Sequence, residues 1–303
     1  MSARSLIGAG YAIAALCAAL LQPLAAHAQK PDILEVIELS GPIHAGMAER
    51  IAKQVDEIND NAKVKAVLLV VDTPGGSVTA SSALYEDLGR IKAPVVVWCQ
   101  SMCASGGVYL AMAPSVKWIA VRGETIGGSV GVVMTMVKFN RLLTWAMVDA
   151  KTYRSGHLKD AGNPTRAMEE AEDKYLQGIV DELAVKFYGI VEKSRGKKVS
   201  DWAAVKTARI FIGQEIVKVG LADAVATKAE VTAKAKELSA SKTIFTREEL
   251  KKMSSAADGH SMYGVAPLVP TSAFGDVPAL IEIVKEVYSG ESVKFSYLMR
   301  ERF

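Results

Sequence analysis

The sequence predicts an α/β fold built on a mostly parallel sheet. Three observations carry that prediction. Val64 to Val71 is a continuous apolar run, the pattern of a strand covered on both faces. Strand-like and helix-like segments alternate along most of the chain, with no internal duplication. Small-residue turns, Asp72-Thr73-Pro74-Gly75-Gly76 and Ser101 to Gly107, stand where strands give way to helices.

The elements follow in order. Ile33 to Leu39 alternates polar and apolar residues, which predicts a strand ended by Gly41-Pro42. Met47, Ile51, Val55 and Ile58 share one face of a helix. After the Val64–Val71 strand, Ser77 or Thr79 starts a helix reaching about Arg90. Pro94 to Cys99 is the next strand, and Val108 to Ala113 reads as a helix. Val116 to Val121 is a short strand, followed by a glycine-rich turn at Thr125 to Val132. Lys138 to Met147 reads as a helix and Ala150 to Tyr153 as a strand. The polar loop Arg154 to Pro164 precedes a long helix, capped by Thr165 and reaching about Ser194. Short helices are expected at Asp201 to Val205 and Gln214 to Val219, and Gly220 to Val225 closes the compact region. Beyond Ser239 the periodicity weakens. Ser254 to Gly259 and Gly264 to Pro270 read as linker, and Val277 to Tyr288 as one more helix.

Composition narrows the function classes. The chain has 303 residues, half of them hydrophobic, and a formal net charge of +3. It carries no basic stripe with interleaved aromatics, so no nucleic-acid partner is expected. Of the three cysteines, Cys17 lies near the start, leaving Cys99 and Cys103 and no disulfide framework. No metal-ligand spacing occurs and no cofactor is expected.

The first residues read as a targeting segment. Arg4 gives a positive start, Ser5 to Ala28 carries no formal charge, and Ala26-His27-Ala28 before Gln29 is a cleavage pattern. The same run is long enough to span a bilayer as an anchor. Cleavage is the favoured reading of residues 1–28. Either way the bulk of the chain is expected outside the cytoplasm, in the periplasm or on the outer face of the membrane. Residues 29–238 are the expected main domain and 239–303 an extension.

Ser105 stands between a strand and a helix among small neighbours, the setting in which a hydroxyl nucleophile is presented. An ordinary capped turn has the same local pattern. A nucleophilic serine needs a base and oxyanion donors. His44 and His260 have no acidic companion in a recognisable motif, and His157 is the one histidine kept as a candidate base. Lysine is the alternative, since burial lowers its pKa. Lys159 lies in a loop among Gly156, Ala161 and Gly162, and Lys151 competes with it. Gly106 and the Asp72–Gly76 turn are the candidate sources of oxyanion N–H groups, at the carboxyl ends of neighbouring strands.

Four pieces occur in order: Asp72-Thr73-Pro74-Gly75-Gly76, Ala104-Ser105-Gly106-Gly107 with Tyr109, Gly128-Ser129-Val130-Gly131-Val132, and Ser155-Gly156-His157-Leu158-Lys159-Asp160. Together they resemble the signal peptide peptidase A (protease IV) family. Arg209 to Glu215 and Gly220 to Asp223 look like that family's closing segment. The resemblance covers about Ile33 to Val225. It implies a ClpP/crotonase-like fold of repeated ββα units, with Ser105 as nucleophile and Lys159 as general base. It further implies oxyanion N–H groups from Gly106 and from Gly76 or Gly75, and Ser129 as the residue orienting the lysine. ClpP peptidases use a histidine in roughly the Thr125–Gly131 region, where this chain has none. One copy of each motif resembles the half-length members, which implies a homo-oligomer whose Ser105 and Lys159 can come from neighbouring subunits. The substrates implied are hydrophobic peptides such as signal-peptide remnants, often near a membrane surface. Two rivals are a crotonase-like acyl-CoA enzyme and a catalytically degenerate scaffold of the same fold.

Overall fold

The structure, a computed structural model, describes residues 31–241 and 243–261. The expected leader at 1–28, the linker expected at 264–270 and the helix expected at 277–288 lie outside the described residues. The described residues divide into a large unit, Glu35–Ala240, and a smaller one of residues 31–34, 241 and 243–261.

The large unit is built by strands alternating with helices. β1 (Asp32–Ser40) leads to α1 (Ala45–Asp60), β2 (Val64–Thr73) to α2 (Val78–Gly89), and β3 (Val95–Ala104) to the short α3 (Gly106–Ala111). β4 (Val116–Val121), β5 (Ile126–Gly128), α4 (Asn140–Trp145) and the long α5 (Glu170–Arg195) follow. α6 (Trp202–Lys206), β6 (Ile210–Ile212), α7 (Gln214–Lys218), β7 (Ala224–Val225) and α8 (Lys228–Leu238) complete the unit. The sheet runs β6–β5–β3–β2–β1, with β4 branching from β3 and β7 pairing with β4. The β2–β3, β3–β4, β3–β5 and β4–β7 pairs are parallel, and β5–β6 is antiparallel. The mostly parallel α/β sheet is therefore as the sequence predicts. Val67 to Leu69, Val71 and Val95 to Val97 are essentially inaccessible, which accounts for their unbroken apolar run.

β3 positions the site because it changes partners along its length. Its lower part, Val95–Cys99, pairs with β4, and its upper part, Met102–Ala104, pairs with β5. Val71 faces Cys99 but Thr73 already faces Cys103, so β3 bulges by two residues between them. The bulge leaves backbone groups to satisfy. The buried Thr125 hydroxyl donates to the Cys99 carbonyl at 3.0 Å, and Asp72 Oδ1 accepts from Met102 N–H at 2.9 Å.

The structure corrects several boundaries. The Pro94–Cys99 strand continues to Ala104, because β5 offers a new pairing edge beyond the bulge. Part of the glycine-rich turn, Ile126–Gly128, is itself that strand. The strand expected at 150–153 is absent: those residues are exposed and pair with no other strand. The long helix starts at Glu170 rather than after Thr165. Thr165 is held in a turn by the Asn163 side chain, while Glu169 and Glu172 form the capping box.

The smaller unit contains β8 (Ile244–Thr246), parallel to the start of β1 with Asp32 facing Ile244 and Leu34 facing Thr246. α9 (Arg247–Ser261) follows and includes the Ser254–Gly259 stretch expected to be linker. Thr246 and Glu249 exchange hydrogen bonds at its start, a capping box that outweighs the weak helix preference of the serines. Among the described residues no helix is long and apolar enough to cross a membrane.

Candidate active site

Ser105 occupies the sharp turn between β3 and α3, with φ 50° and ψ −115°. A serine in this left-handed region is strained and persists only where surrounding bonds fix it. Here its N–H donates to the Gly128 carbonyl at 2.9 Å, and its carbonyl accepts from Tyr109 N–H at 3.1 Å. The hydroxyl does not cap the helix and has no hydrogen-bond partner among the described residues. That combination separates Ser105 from the capped turn its sequence also allowed.

The turn after β2 lies directly beside it. Gly75 has φ 96°, and a Cβ there would stand 2.8 Å from Ser105 Cβ and 2.8 Å from the Gly106 nitrogen. Only glycine lets the two backbones meet this closely. The Gly75 N–H is engaged by the buried Thr73 hydroxyl at 3.1 Å. The Gly76 segment is held by an isolated parallel bridge to Ile43: Ile43 N–H donates to Gly75 and Ser77 N–H to Ile43, both at 2.9 Å. The N–H groups of Gly76 and Gly106 have no hydrogen-bond partner among the described residues. Both line a cleft of about 250 Å³ together with Ser105, Ser81, Tyr109 and Phe187.

The cleft's far wall comes from α5. Tyr109 packs edge-on against Tyr85 at 5.3 Å and against Phe187 of α5 at 5.0 Å, which ties the long helix to the helix that follows Ser105. Ser81 was not foreseen here. Its hydroxyl is the one buried side-chain polar atom without a partner among the described residues, and it lies 2.6 Å from where a Gly106 Cβ would be. Lys186 also lines the cleft, but its amine is paired with Glu182 at 2.9 Å, and that hydrogen bond raises its pKa.

Ser129 sits next to the Ser105 turn through Gly128. It too has a positive φ, 51°, and its N–H donates to the Arg209 carbonyl at 3.0 Å. Lys159 is exposed in the loop at 155–162, its N–H donating to Gly156 at 3.1 Å. It does not line the Ser105 cleft, and no hydrogen bond joins it to Ser105 or Ser129. The single chain thus brings together Ser105, Gly106, Gly75, Gly76 and, through the backbone, Ser129, but not Lys159. His157 faces Glu169 at 3.5 Å in the same loop, and Lys151 lies over the Tyr153 ring. His44 caps α1 by accepting from Met47 N–H at 3.3 Å. Cys99 and Cys103 are both buried and free, and the Cys99 thiol is pushed up by its hydrogen bond with Cys103 and then by burial. Among the described residues no cluster of three or more His, Cys, Asp or Glu side chains could hold a metal ion.

A half-buried, strained serine between two N–H groups without partners, on a parallel α/β sheet, is the arrangement of a serine hydrolase. The chain belongs to peptidase family S49, whose model matches residues 88–242, a span that includes Ser105, Ser129 and Lys159. The Clp protease family model matches residues 32–121, which carry Gly75, Gly76 and Ser105. The chain is 34% identical to a protease-designated protein of Methanocaldococcus jannaschii over 61% of its own length and 59% of that protein's. A protease-designated protein of Synechocystis is 32% identical over 63% of this chain and 69% of the relative. A protein of Enterococcus faecium named for signal peptide peptidase SppA is 33% identical over 56% and 50%. The matched region therefore spans between half and about two-thirds of these curated relatives.

Proposed function

We propose that the protein is an exported serine endopeptidase that uses a Ser105–Lys159 dyad. The observation that carries this reading is Ser105 itself: strained, uncapped and facing a cleft beside the Gly76 and Gly106 N–H groups. Ser105 Oγ attacks the scissile carbonyl while Lys159 Nζ takes its proton. The oxyanion that forms is held by the N–H groups of Gly76 and Gly106, Gly75 N–H being already engaged by Thr73. Lys159 then passes the proton to the leaving amine. Water, activated by Lys159, hydrolyses the acyl-enzyme. Ser129 orients the lysine amine.

Lys159 reaches Ser105 from a second copy of the chain in a homo-oligomer. Two features support this. Lys159 is exposed and outside its own chain's cleft. The segment leading to it exposes large apolar side chains, with Val133 86%, Trp145 81% and Met147 92% accessible. Such a run on one chain is the mark of a surface that another protein covers.

The apolar walls of the cleft fit hydrophobic peptides, signal-peptide remnants among them. The uncharged run at Ser5–Ala28 supports a working domain outside the cytoplasm, near the membrane surface. The test is hydrolysis of an apolar peptide by the full chain and by Ser105→Ala and Lys159→Ala. Each variant is expected to lose at least about 1,000-fold in kcat. An active Lys159→Ala beside a silent His157→Ala would transfer the base to His157.

A further inference from the structure

Lys159 is flanked by an ion-pair network that the nucleophile chemistry does not use. Arg166 is its hub. Its Nε donates to Asp160 Oδ2 at 2.9 Å and its Nη2 to Asp160 Oδ1 at 3.0 Å, a two-pronged contact. On its other side Nη1 donates to Glu172 Oε2 at 2.9 Å, and Nη2 makes a short contact with Glu172 Oε1. Glu172 is fully inaccessible and also accepts from Glu169 N–H at 3.0 Å, within the first turn of α5. Arg154 closes the other end of the loop, donating to Asp160 Oδ1 at 2.7 Å. The segment between Arg154 and Asp160, which carries His157 and Lys159, is thus tied off at its base.

A carboxylate as buried as Glu172 is costly unless its partners are complete, and its usual gain is one fixed geometry rather than stability. The geometry fixed here runs from Asp160 through Arg166 to the start of α5. From there Phe187 carries it to Tyr109 on the helix after Ser105.

We propose that Asp160, Arg166 and Glu172 form a positioning clamp that holds the Lys159 segment against the start of α5, so that the lysine amine is presented in one orientation before it meets a Ser105 cleft. The proposal rests on Lys159 being the base. None of the three residues touches substrate. The clamp acts through the lysine, and a displacement of about 1 Å at such a group costs on the order of a hundredfold in rate.

The experiment measures kcat and KM for peptide hydrolysis, and the rate at which a fluorophosphonate labels Ser105. The full-chain variants are Arg166→Met, Glu172→Gln and Asp160→Asn, each alone and combined with Lys159→Ala. Melting temperature and oligomer mass are recorded alongside. Asp160→Asn preserves volume and reads the clamp even if Arg166→Met or Glu172→Gln fails to fold. The expected result is a kcat loss of about tenfold to a hundredfold with KM within about twofold, and no further loss of labelling in the Lys159→Ala background. A kcat within twofold of wild type would overturn the clamp while leaving a silent Lys159→Ala to support the base. Equal losses with and without Lys159 would also overturn it, since the network would then act through the fold. Wild-type activity in Lys159→Ala would remove the base and the clamp with it.

Discussion

The N–H of Ser105 donates to the carbonyl oxygen of Gly128 at 2.9 Å, so the Ser105 turn is held by the residue immediately before Ser129. Two segments far apart in the chain are thereby locked in register by β5 pairing with the top of β3. A change in either turn should be felt in the other. Under the proposed lysine-orienting role, Ser129→Ala is expected to leave the melting temperature unchanged and to lower kcat about tenfold to a hundredfold. Wild-type kcat in this variant would show that Ser129 does not orient the base.

Gly75 is expected to tolerate no side chain. A Cβ there would stand 2.8 Å from both Ser105 Cβ and the Gly106 nitrogen, and φ 96° disfavours any L-residue. Gly75→Ala must push the two turns apart and misalign the Gly76 and Gly106 N–H groups proposed as oxyanion donors. The expected loss is on the order of 100- to 1,000-fold in kcat, the size of one lost donor. Full activity in Gly75→Ala would mean that the turns are not held as closely as described.

Ser81 gives a prediction of the opposite sign. Its hydroxyl is buried without a partner, so removing it takes away an unmade hydrogen bond rather than a made one. Ser81→Ala should melt at or slightly above the wild-type temperature. A melting point several degrees lower would reveal a partner for that hydroxyl.

The clamp carboxylates predict a pH window for stability. Arg166 holds Glu172 down to about 2, helped by the Glu169 N–H, and Arg166 and then Arg154 hold Asp160 well below the usual carboxylate range. A depressed folded pKa gives stability that is complete above the unfolded value and is lost as pH falls through the folded one. The melting-temperature difference between wild type and Glu172→Gln should therefore be constant above about pH 5 and shrink between about pH 4.5 and pH 2. A difference that already shrinks between pH 8 and pH 6 would contradict these ion pairs.

Local patterns made much of this legible in the sequence. β2 and β3 announce themselves as apolar runs, and the small residues around Ser105 mark its elbow. The resemblance rests on motifs that each occupy a few consecutive residues. What stayed hidden depends on residues meeting across the chain. The β3 bulge is invisible without β5 to pair beyond it, so the strand seemed to end at Cys99. Arg166 could be seen as one charge among many until the loop brought it between Asp160 and Glu172. The 150–153 segment has strand-like residues but no sheet edge to join. Ser254–Gly259 looked like linker because composition drew attention away from the Thr246–Glu249 cap upstream.

The most direct test of a Ser105–Lys159 site completed between copies is a mixing experiment. Ser105→Ala and Lys159→Ala, carrying different affinity tags, are purified separately, allowed to exchange subunits and assayed on an apolar peptide. Co-purification of both tags establishes that mixed assemblies form. Each variant alone should be silent, and the mixture should recover activity at least about tenfold above either, since some interfaces then pair an intact Ser105 with an intact Lys159. Mixed assemblies as silent as their components would contradict a site shared between chains.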